Sequence, residues 1–178
     1  MKTLECRGIT LSDKQTKICV PITGTDLEEI KEQAEKIANM NPDVVEWRAD
    51  FYDVKDNDET EFEQCLKAIN DNLKNIPIIY TYRTSNEGGE KSIDVDDYCR
   101  LCKYVSEISE KYNVAMIDVE LYENKDRKDI GKLLLDIKST GVKVIGSNHH
   151  FEGTPSEKDI FNVLKTMEEA GADICKIA

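Results

Sequence analysis

The sequence of 178 residues lacks the long apolar segments that membrane and secreted proteins carry. No apolar run approaches the roughly 20 residues that a membrane-spanning helix needs. The N-terminal residues Met1–Cys6 also lack the apolar core of a signal peptide. These absences predict a cytoplasmic protein, and its six cysteines are therefore expected to be reduced thiols.

Positive charge is scarce as well, since 24 lysines and arginines face 36 aspartates and glutamates, for a net charge of −12. An acidic surface of this kind repels nucleic acids and anionic membranes, which argues against both as partners. An anionic small molecule would need a local group of arginines to bind.

Patterns for metal ligands are also sparse. The two histidines, His149 and His150, are adjacent, and neighbouring strand residues point to opposite faces. Cys99 and Cys102 match C-x-x-C without the second pair that would complete a zinc site. Both cysteines lie in a helical apolar stripe, which indicates core packing. We therefore expect neither a metal ion nor another cofactor.

What the chain does contain is a regular alternation of apolar runs and amphipathic helical patterns. This alternation predicts βαβ units and a parallel sheet, and the near-continuous apolar runs are typical of strands covered on both faces. The predicted strands are Ile18–Ile22, Val44–Phe51, Ile76–Arg83, Val114–Leu121, Val142–His149 and Ala172–Ala178.

The helix ends are predicted from capping patterns. Thr25 and Glu28 form a capping box that opens the first helix. Thr154 is the predicted N-cap of the last helix, with Pro155 at its first position. Gly171 is predicted to end that helix.

Two architectures fit this alternation, a doubly wound open sheet and a (β/α)₈ barrel. No glycine-rich phosphate loop follows the first strand, because Pro21–Thr25 matches neither G-x-G-x-x-G nor a P-loop. Upstream, Leu4–Ile9 and Ile18–Val20 are predicted to be the arms of a hairpin that turns at Ser12–Gln15, with the second arm merging into the first barrel strand. The placement of polar residues favours the barrel, formed by residues 1–178 as a single domain.

Polar side chains occur at the ends of five consecutive predicted strands, where barrel enzymes place their catalytic groups. A single pair such as Glu46 with an arginine is equally well explained as a structural ion pair, because buried charges are normally paired. Five strands in succession favour a functional cluster, since a purely structural core would carry branched aliphatic residues there. The residues are Glu46 and Arg48, Thr81 and Arg83, Asp118 and Glu120, Ser147 and His149, and Lys176.

These side chains indicate Schiff-base chemistry. Lys176 lies in an apolar strand, where the charged form is costly to bury and the free amine becomes a nucleophile. An iminium formed on this amine acidifies the adjacent C–H bond, and a neutral His149 could act as base and then as acid. Arg48 and Arg83 could hold a substrate carboxylate or hydroxyls.

Several segments match the motifs of one enzyme family in order along the chain. They are Glu46–Asp50, Thr81–Thr84, Glu87–Glu90, Ile117–Leu121, Ser147–His149 with Phe151 and Thr154–Pro155, and Ala172–Ile174 with Lys176–Ala178. On these residues the sequence resembles type I 3-dehydroquinate dehydratases. The resemblance implies a (β/α)₈ TIM-barrel-type fold with an N-terminal β-hairpin, of which this chain carries six of the eight barrel strands.

The resemblance also implies a role for each residue. Lys176 forms the iminium with the C3 ketone of 3-dehydroquinate, His149 takes the C2 proton and later protonates the leaving C1 hydroxyl, and Glu87 orients the histidine. The remaining residues, Glu46, Arg48 and Arg83, bind the substrate. The enzyme would be a hydro-lyase of the shikimate pathway without a cofactor, its product would be 3-dehydroshikimate, and a homodimer is the candidate assembly.

Two departures from the family bear on these expectations. The family usually has aspartate after the catalytic histidine, where this chain has His150, and we expect this side chain to point away from the pocket. The family barrel has eight strands and this chain ends at the sixth, which predicts a C-terminally truncated domain with little activity alone. Lys176 would lie on an edge strand, where the desolvation of its amine is incomplete.

Two other functions fit the same residues. One is a different Schiff-base lyase on the same fold, such as a class I aldolase. The other is a non-catalytic fragment whose exposed strand edges pair with a complementary fragment or a second copy.

Overall fold

The computed structural model describes residues 3–12, 14–53, 58–121 and 128–178. A short antiparallel hairpin, β1 (Leu4–Cys6) and β2 (Ile9–Leu11), precedes an alternation of strands and helices. The strands are β3 (Cys19–Ile22), β4 (Val44–Arg48), β5 (Ile78–Thr81), β6 (Val114–Glu120), β7 (Lys143–Asn148) and β8 (Ile174–Ile177). The helices are α1 (Leu27–Ala38), α2 (Glu59–Leu73), α3 (Val95–Glu107), α4 (Lys128–Ser139) and α5 (Glu157–Ala170).

Strands β3 to β8 form one parallel sheet of six strands in sequential order. A doubly wound sheet reverses its strand order at a switch point, and this sheet has no reversal. The order is that of a barrel arc with β3 and β8 at its two edges, so the predicted fold class is confirmed. No helix in the described ranges combines the length and apolar character needed to cross a membrane.

The two faces of the sheet pack against different partners. The outer face, with Trp47, Tyr80 and Ile117 fully buried, packs against the helices. The lower inner face forms a second apolar cluster, to which the hairpin contributes Ile9 and the sheet contributes Val44 and Met116. The hairpin therefore covers the N-terminal end of the inner face, and the polar residues of the inner face lie toward its C-terminal end.

The hairpin turns earlier than predicted. Its turn consists of Arg7 and Gly8, with φ values of 40° and 82°, and two consecutive left-handed residues make the tight turn that matches strand twist. The predicted turn at Ser12–Gln15 is only an isolated antiparallel bridge between Ser12 and Gln15. The second arm, Ile9–Leu11, therefore ends before β3 and does not merge with it.

Two predicted helix starts are also wrong. Asp26, not Thr25, caps α1, and its carboxylate accepts from the backbone N–H groups of Glu28 and Glu29 at 2.9 Å. The carboxylate also places a negative charge at the helix N-terminus, which the helix dipole favours. The Ser156 hydroxyl caps α5 by accepting from the backbone N–H of Asp159 at 3.2 Å, so the predicted cap at Thr154 is two residues early.

The remaining helix predictions agree with the structure. Gly171 ends α5 with φ of 100°, a left-handed conformation that suits glycine. Cys102 is fully buried in the core beside Leu101, and this burial raises the pKa of its thiol well above the usual range.

Among the described residues, no three His, Cys, Asp or Glu side chains are grouped so that they could hold a metal ion.

A polar network joins α2 to the α3–β6 connection. Glu63 accepts from the side chains of Tyr104, Lys111 and Tyr112, each at 2.7 Å. The hydrogen bond from Lys111, followed by those from the two tyrosines, lowers the pKa of the Glu63 carboxyl to about 2. The network therefore stabilises the fold only while Glu63 is ionised.

We expect Glu63→Gln to destabilise the chain by less than about 1 kcal/mol at neutral pH, because the network is at the surface. A lowered folded-state pKa contributes stability above the unfolded value and loses it as the pH falls toward the folded value. The difference between parent and variant should therefore shrink below about pH 4.5 and vanish near pH 2. Urea unfolding followed by circular dichroism measures this. Glu107→Gln, at an exposed pair with Lys103, is the control, and a pH-independent difference for Glu63→Gln would contradict the assignment.

Candidate active site

The upper inner face of the sheet is built from rows of polar side chains that strand pairing sets side by side. One row consists of Arg48, Thr81 and Asp118. Alternation along each strand places the next inward residue one step higher, and there Glu120, Ser147 and Lys176 form the second row, with Arg83 at the end of its strand beside them. Glu46 lies one step below the first row, and His149 lies one step above the second.

His149 is held by Glu87, which comes from a short 3₁₀ segment after β5. The Glu87 Oε2 atom lies 2.9 Å from His149 Nδ1, and the other carboxylate oxygen accepts from the side-chain amide of Asn148 at 3.2 Å. Glu87 is buried. A carboxylate at Nδ1 favours the tautomer with its proton there, which leaves Nε2 free to accept a proton.

The two glycines after Glu87 are required by close contacts. A Cβ on Gly88 would lie 2.1 Å from the ring of Phe151, and φ is +79°. A Cβ on Gly89 would lie 1.8 Å from the carbonyl oxygen of Arg83. The Phe151 ring also stacks on His149, with centroids 6.5 Å apart. The Glu87–Gly89 segment therefore fits tightly between the end of β5 and the loop after β7.

Lys176 points to the same inner face from β8. Its Nζ lies 3.6 Å from Asp118 Oδ2, and its side chain is 41% exposed. The side chain of Lys176 is therefore partly exposed in this strand, while its amine lies near a buried carboxylate.

Arg83 is buried among carboxylates. Its Nη1 donates to Glu87 Oε2 at 3.2 Å and to Glu120 Oε1 at 3.1 Å, and its Nη2 donates to Asp118 Oδ1 at 2.8 Å. Nη1 also donates to Ser147 Oγ at 2.9 Å. Burial lowers the pKa of the guanidinium, but the charges of Asp118 and Glu120 outweigh it and raise the pKa overall.

Glu120 closes the cluster on the side of β5. Its carboxylate accepts from Thr84 N and Thr84 Oγ1 at 2.7 Å each. Burial raises the pKa of this carboxyl, even though the Thr84 hydrogen bonds and the Arg83 charge act in the opposite direction.

The other two predicted substrate residues lie at the β4 side. Glu46 accepts from Thr81 Oγ1 at 2.8 Å. Arg48 donates from Nε and Nη2 to the two oxygens of Asp50, at 2.8 and 2.7 Å, and this pairing raises the pKa of the guanidinium. The fully buried Asp50 also accepts from the backbone N–H of Arg83 at 3.3 Å. Asp50 therefore links the ends of β4 and β5.

The sequence did not predict the contacts that Asp50, Asp118 and Glu120 make with the arginines of the site. Asp118 and Glu120 were expected on the inner face, but nothing in the sequence predicted that both would contact Arg83. Asp50 carried a usable signal, since an acidic residue two positions after Arg48 can pair with it.

His150 faces away from this cluster. With Gly153, Thr154, Pro155, Ile160, Ile177 and Ala178, it lines a cavity of about 270 Å³ beside α5. Its backbone N–H donates to the carbonyl oxygen of Ala178 at 2.7 Å. The expectation that this position points away from the pocket agrees with that placement.

Comparisons with known proteins point to one family. A family model described as Type I 3-dehydroquinase matches residues 18–178. The 3-dehydroquinate dehydratase of Clostridium novyi is 35% identical over 178 residues, covering 100% of this chain and 68% of that protein. That of Bacillus licheniformis is 40% identical over 178 residues, covering 99% of this chain and 67% of that protein.

Solved structures agree with this assignment. The type I 3-dehydroquinate dehydratase of Clostridium difficile, solved with covalently modified comenic acid, has a TM-score of 0.90 and 34% identity. The match covers 99% of this chain and 68% of that one, so the chain spans about two thirds of these relatives. From the matched segment, the identities and the shared barrel arc, we conclude that the chain belongs to the type I 3-dehydroquinase family.

Proposed function

We propose that this chain carries the Schiff-base centre of a 3-dehydroquinate dehydratase, with Lys176 as the iminium-forming residue. One observation carries the proposal. The Glu87–His149 pair, 2.9 Å apart, lies at the end of β7, and β8 presents Lys176 in register with Ser147 of β7. A carboxylate-oriented imidazole next to an amine is the arrangement that carbonyl activation and proton transfer require.

The first steps concern Lys176. Its neutral amine adds to the C3 ketone of 3-dehydroquinate, and the resulting carbinolamine loses water to form an iminium. The iminium draws electrons from the neighbouring carbon, which acidifies the C2–H bond. Glu46 and Arg48, together with Arg83 behind them, are proposed to line the pocket and bind the hydroxyls of the substrate.

The next steps concern His149. Its Nε2 takes the C2 proton, and the electron pair of that bond passes to the nitrogen to give an enamine. The enamine then expels the C1 hydroxyl, which leaves as water with the proton that His149 returns. Glu87 keeps the imidazole oriented and balances its positive charge between the two transfers. Hydrolysis of the product iminium frees 3-dehydroshikimate and restores Lys176.

This reaction makes the chain a hydro-lyase of the shikimate pathway, and it uses groups of the protein without a cofactor. A cytoplasmic location and a homodimer stay predictions from the sequence. The covalently modified ligand in the Clostridium difficile relative supports a nucleophile in this fold.

Borohydride trapping tests the proposal. The chain is incubated with 3-dehydroquinate and reduced, and intact mass with peptide mapping is expected to find a stable adduct on Lys176. Lys176→Arg should abolish the adduct. Lys143→Arg is the matched control, because Lys143 lies at the opposite end of the neighbouring strand β7 and should keep the adduct. A folded parent chain without an adduct, or an adduct on another lysine, would overturn the assignment.

A further inference from the structure

We propose that Asp118 is the positioning residue and counter-ion of Lys176, and that it couples the amine to the His149 imidazole through Arg83 and Glu87. This inference rests on the proposed function, since it assigns a role within the same site. Asp118 lies on β6, two strands away from Lys176, and its side chain is 2% exposed. It is therefore a buried negative charge that faces a partly exposed amine.

The two oxygens of Asp118 have different partners. Oδ1 accepts from Arg83 Nη2 at 2.8 Å and from Ser147 Oγ at 2.6 Å. Oδ2 lies 3.6 Å from Lys176 Nζ. The hydrogen bonds at Oδ1 fix the orientation of the carboxylate. Oδ2 is thereby held toward the amine by groups that do not themselves react.

The same contacts continue to the imidazole. Arg83 Nη1 donates to Glu87 Oε2 at 3.2 Å, and that oxygen lies 2.9 Å from His149 Nδ1. Lys176, Asp118, Arg83 and Glu87 thus form one chain of alternating charge that ends at the His149 imidazole. Its three central residues are buried, where opposite charges interact more strongly than in water. A change of charge at the amine therefore changes the electrostatic potential at Glu87, the carboxylate that orients the histidine.

The chemical consequence differs between the forms of Lys176. The ammonium and the iminium are both cations that Asp118 stabilises, whereas the free amine is neutral. Asp118 therefore stabilises the ammonium relative to the free amine and, once the carbonyl has reacted, favours the iminium over the separated amine and ketone.

Reductive methylation tests the first effect without using the dehydratase reaction. Formaldehyde condenses with each neutral amine to an iminium, water leaves, and cyanoborohydride supplies the hydride that reduces it. The rate at Lys176 is followed by peptide mass spectrometry at a fixed pH below the range in which lysines titrate. In Asp118→Asn, this rate is expected to be about tenfold higher than in the parent, because the cation that competes with the neutral amine loses its neighbouring negative charge.

Two controls separate this role from a general structural one. Ser147→Ala removes a hydrogen bond to Asp118 but keeps the carboxylate, so its methylation rate at Lys176 should stay close to that of the parent. Lys165, an exposed lysine on α5 paired with Glu169, is the internal reference, and its rate should be the same in every variant. An equal increase in Ser147→Ala, or no increase in Asp118→Asn, would overturn the proposal.

Trapping with 3-dehydroquinate distinguishes failure of the proposed reaction from failure of the role of Asp118. If the parent forms no adduct but Asp118→Asn raises the methylation rate at Lys176, the proposed reaction fails and the charge pairing stands. If the parent forms the adduct and Asp118→Asn neither raises the methylation rate nor lowers the trapped fraction, the role of Asp118 fails alone. Circular dichroism checks folding, and Asp118→Ser, which leaves room for water, is the second variant. Unfolding of both would reassign Asp118 to a structural role.

Discussion

Replacing His149 by alanine is expected to slow the conversion of bound 3-dehydroquinate by about 10²–10⁴-fold, the usual contribution of a positioned acid–base group. Formation of the Schiff base at Lys176 should persist, because the amine and Asp118 are unchanged. The variant should therefore accumulate the iminium of the substrate. This outcome distinguishes proton transfer by His149 from covalent attachment at Lys176. Loss of Lys176, in contrast, would abolish both steps.

Borohydride quenching at successive times measures the expected effect in a single turnover. The trapped adducts of substrate and product differ by one water, so intact mass follows the conversion even when steady-state turnover is slow. His150→Ala is the matched control, since the adjacent imidazole lines a different cavity, and its conversion rate should equal that of the parent. Glu87→Gln should fall between the two, because it leaves the imidazole in place but removes the charge at 2.9 Å from Nδ1. Parent-like conversion in His149→Ala would exclude the histidine as the base.

The sheet and the composition of its polar end could be predicted from the sequence because both depend on short-range patterns. Strand alternation alone puts Glu46 with Arg48 and Asp118 with Glu120 on shared faces. Parallel strands then bring their C-terminal ends to one edge. The hairpin turn was misplaced because polar composition favoured Ser12–Gln15, while the actual turn depends on two left-handed residues, of which only Gly8 has a sequence signal.

The pairing within the site could not be predicted, because it depends on relative strand heights and side-chain rotamers. Arg83 looked like a substrate ligand from the sequence, yet its terminal nitrogens contact Glu87, Asp118 and Glu120. Arg83 therefore pairs with three carboxylates of the site in addition to its proposed contact with the substrate. Buried carboxylates around one guanidinium are costly to leave unpaired, which makes Arg83 the residue on which the geometry of the site depends.

Arg83→Met is expected to destabilise the fold by about 3–5 kcal/mol, the cost of removing one partner from a buried ion pair. Three carboxylates that the structure places within 3.2 Å of the guanidinium would lose their shared counter-ion. Typical domains have about 5–15 kcal/mol of stability in total, so this is a large fraction of it. Arg83→Lys should fall between parent and Met variant, since an ammonium keeps the charge without the forked geometry that reaches several partners.

Urea unfolding followed by circular dichroism checks this expectation, with Arg100→Met as the control. Arg100 also pairs with two carboxylates, Glu59 and Asp97, at 2.7 and 2.8 Å, but its side chain is 42% exposed. Surface pairs contribute about 0–1 kcal/mol, so equal losses in the two variants would contradict the argument from burial. The deficit of Arg83→Met should also narrow as the pH falls, because burial raises the pKa of Glu120 and protonation of this carboxyl removes an uncompensated negative charge. A simple packing defect would cost the same at every pH, and that difference identifies the buried charge as the cause.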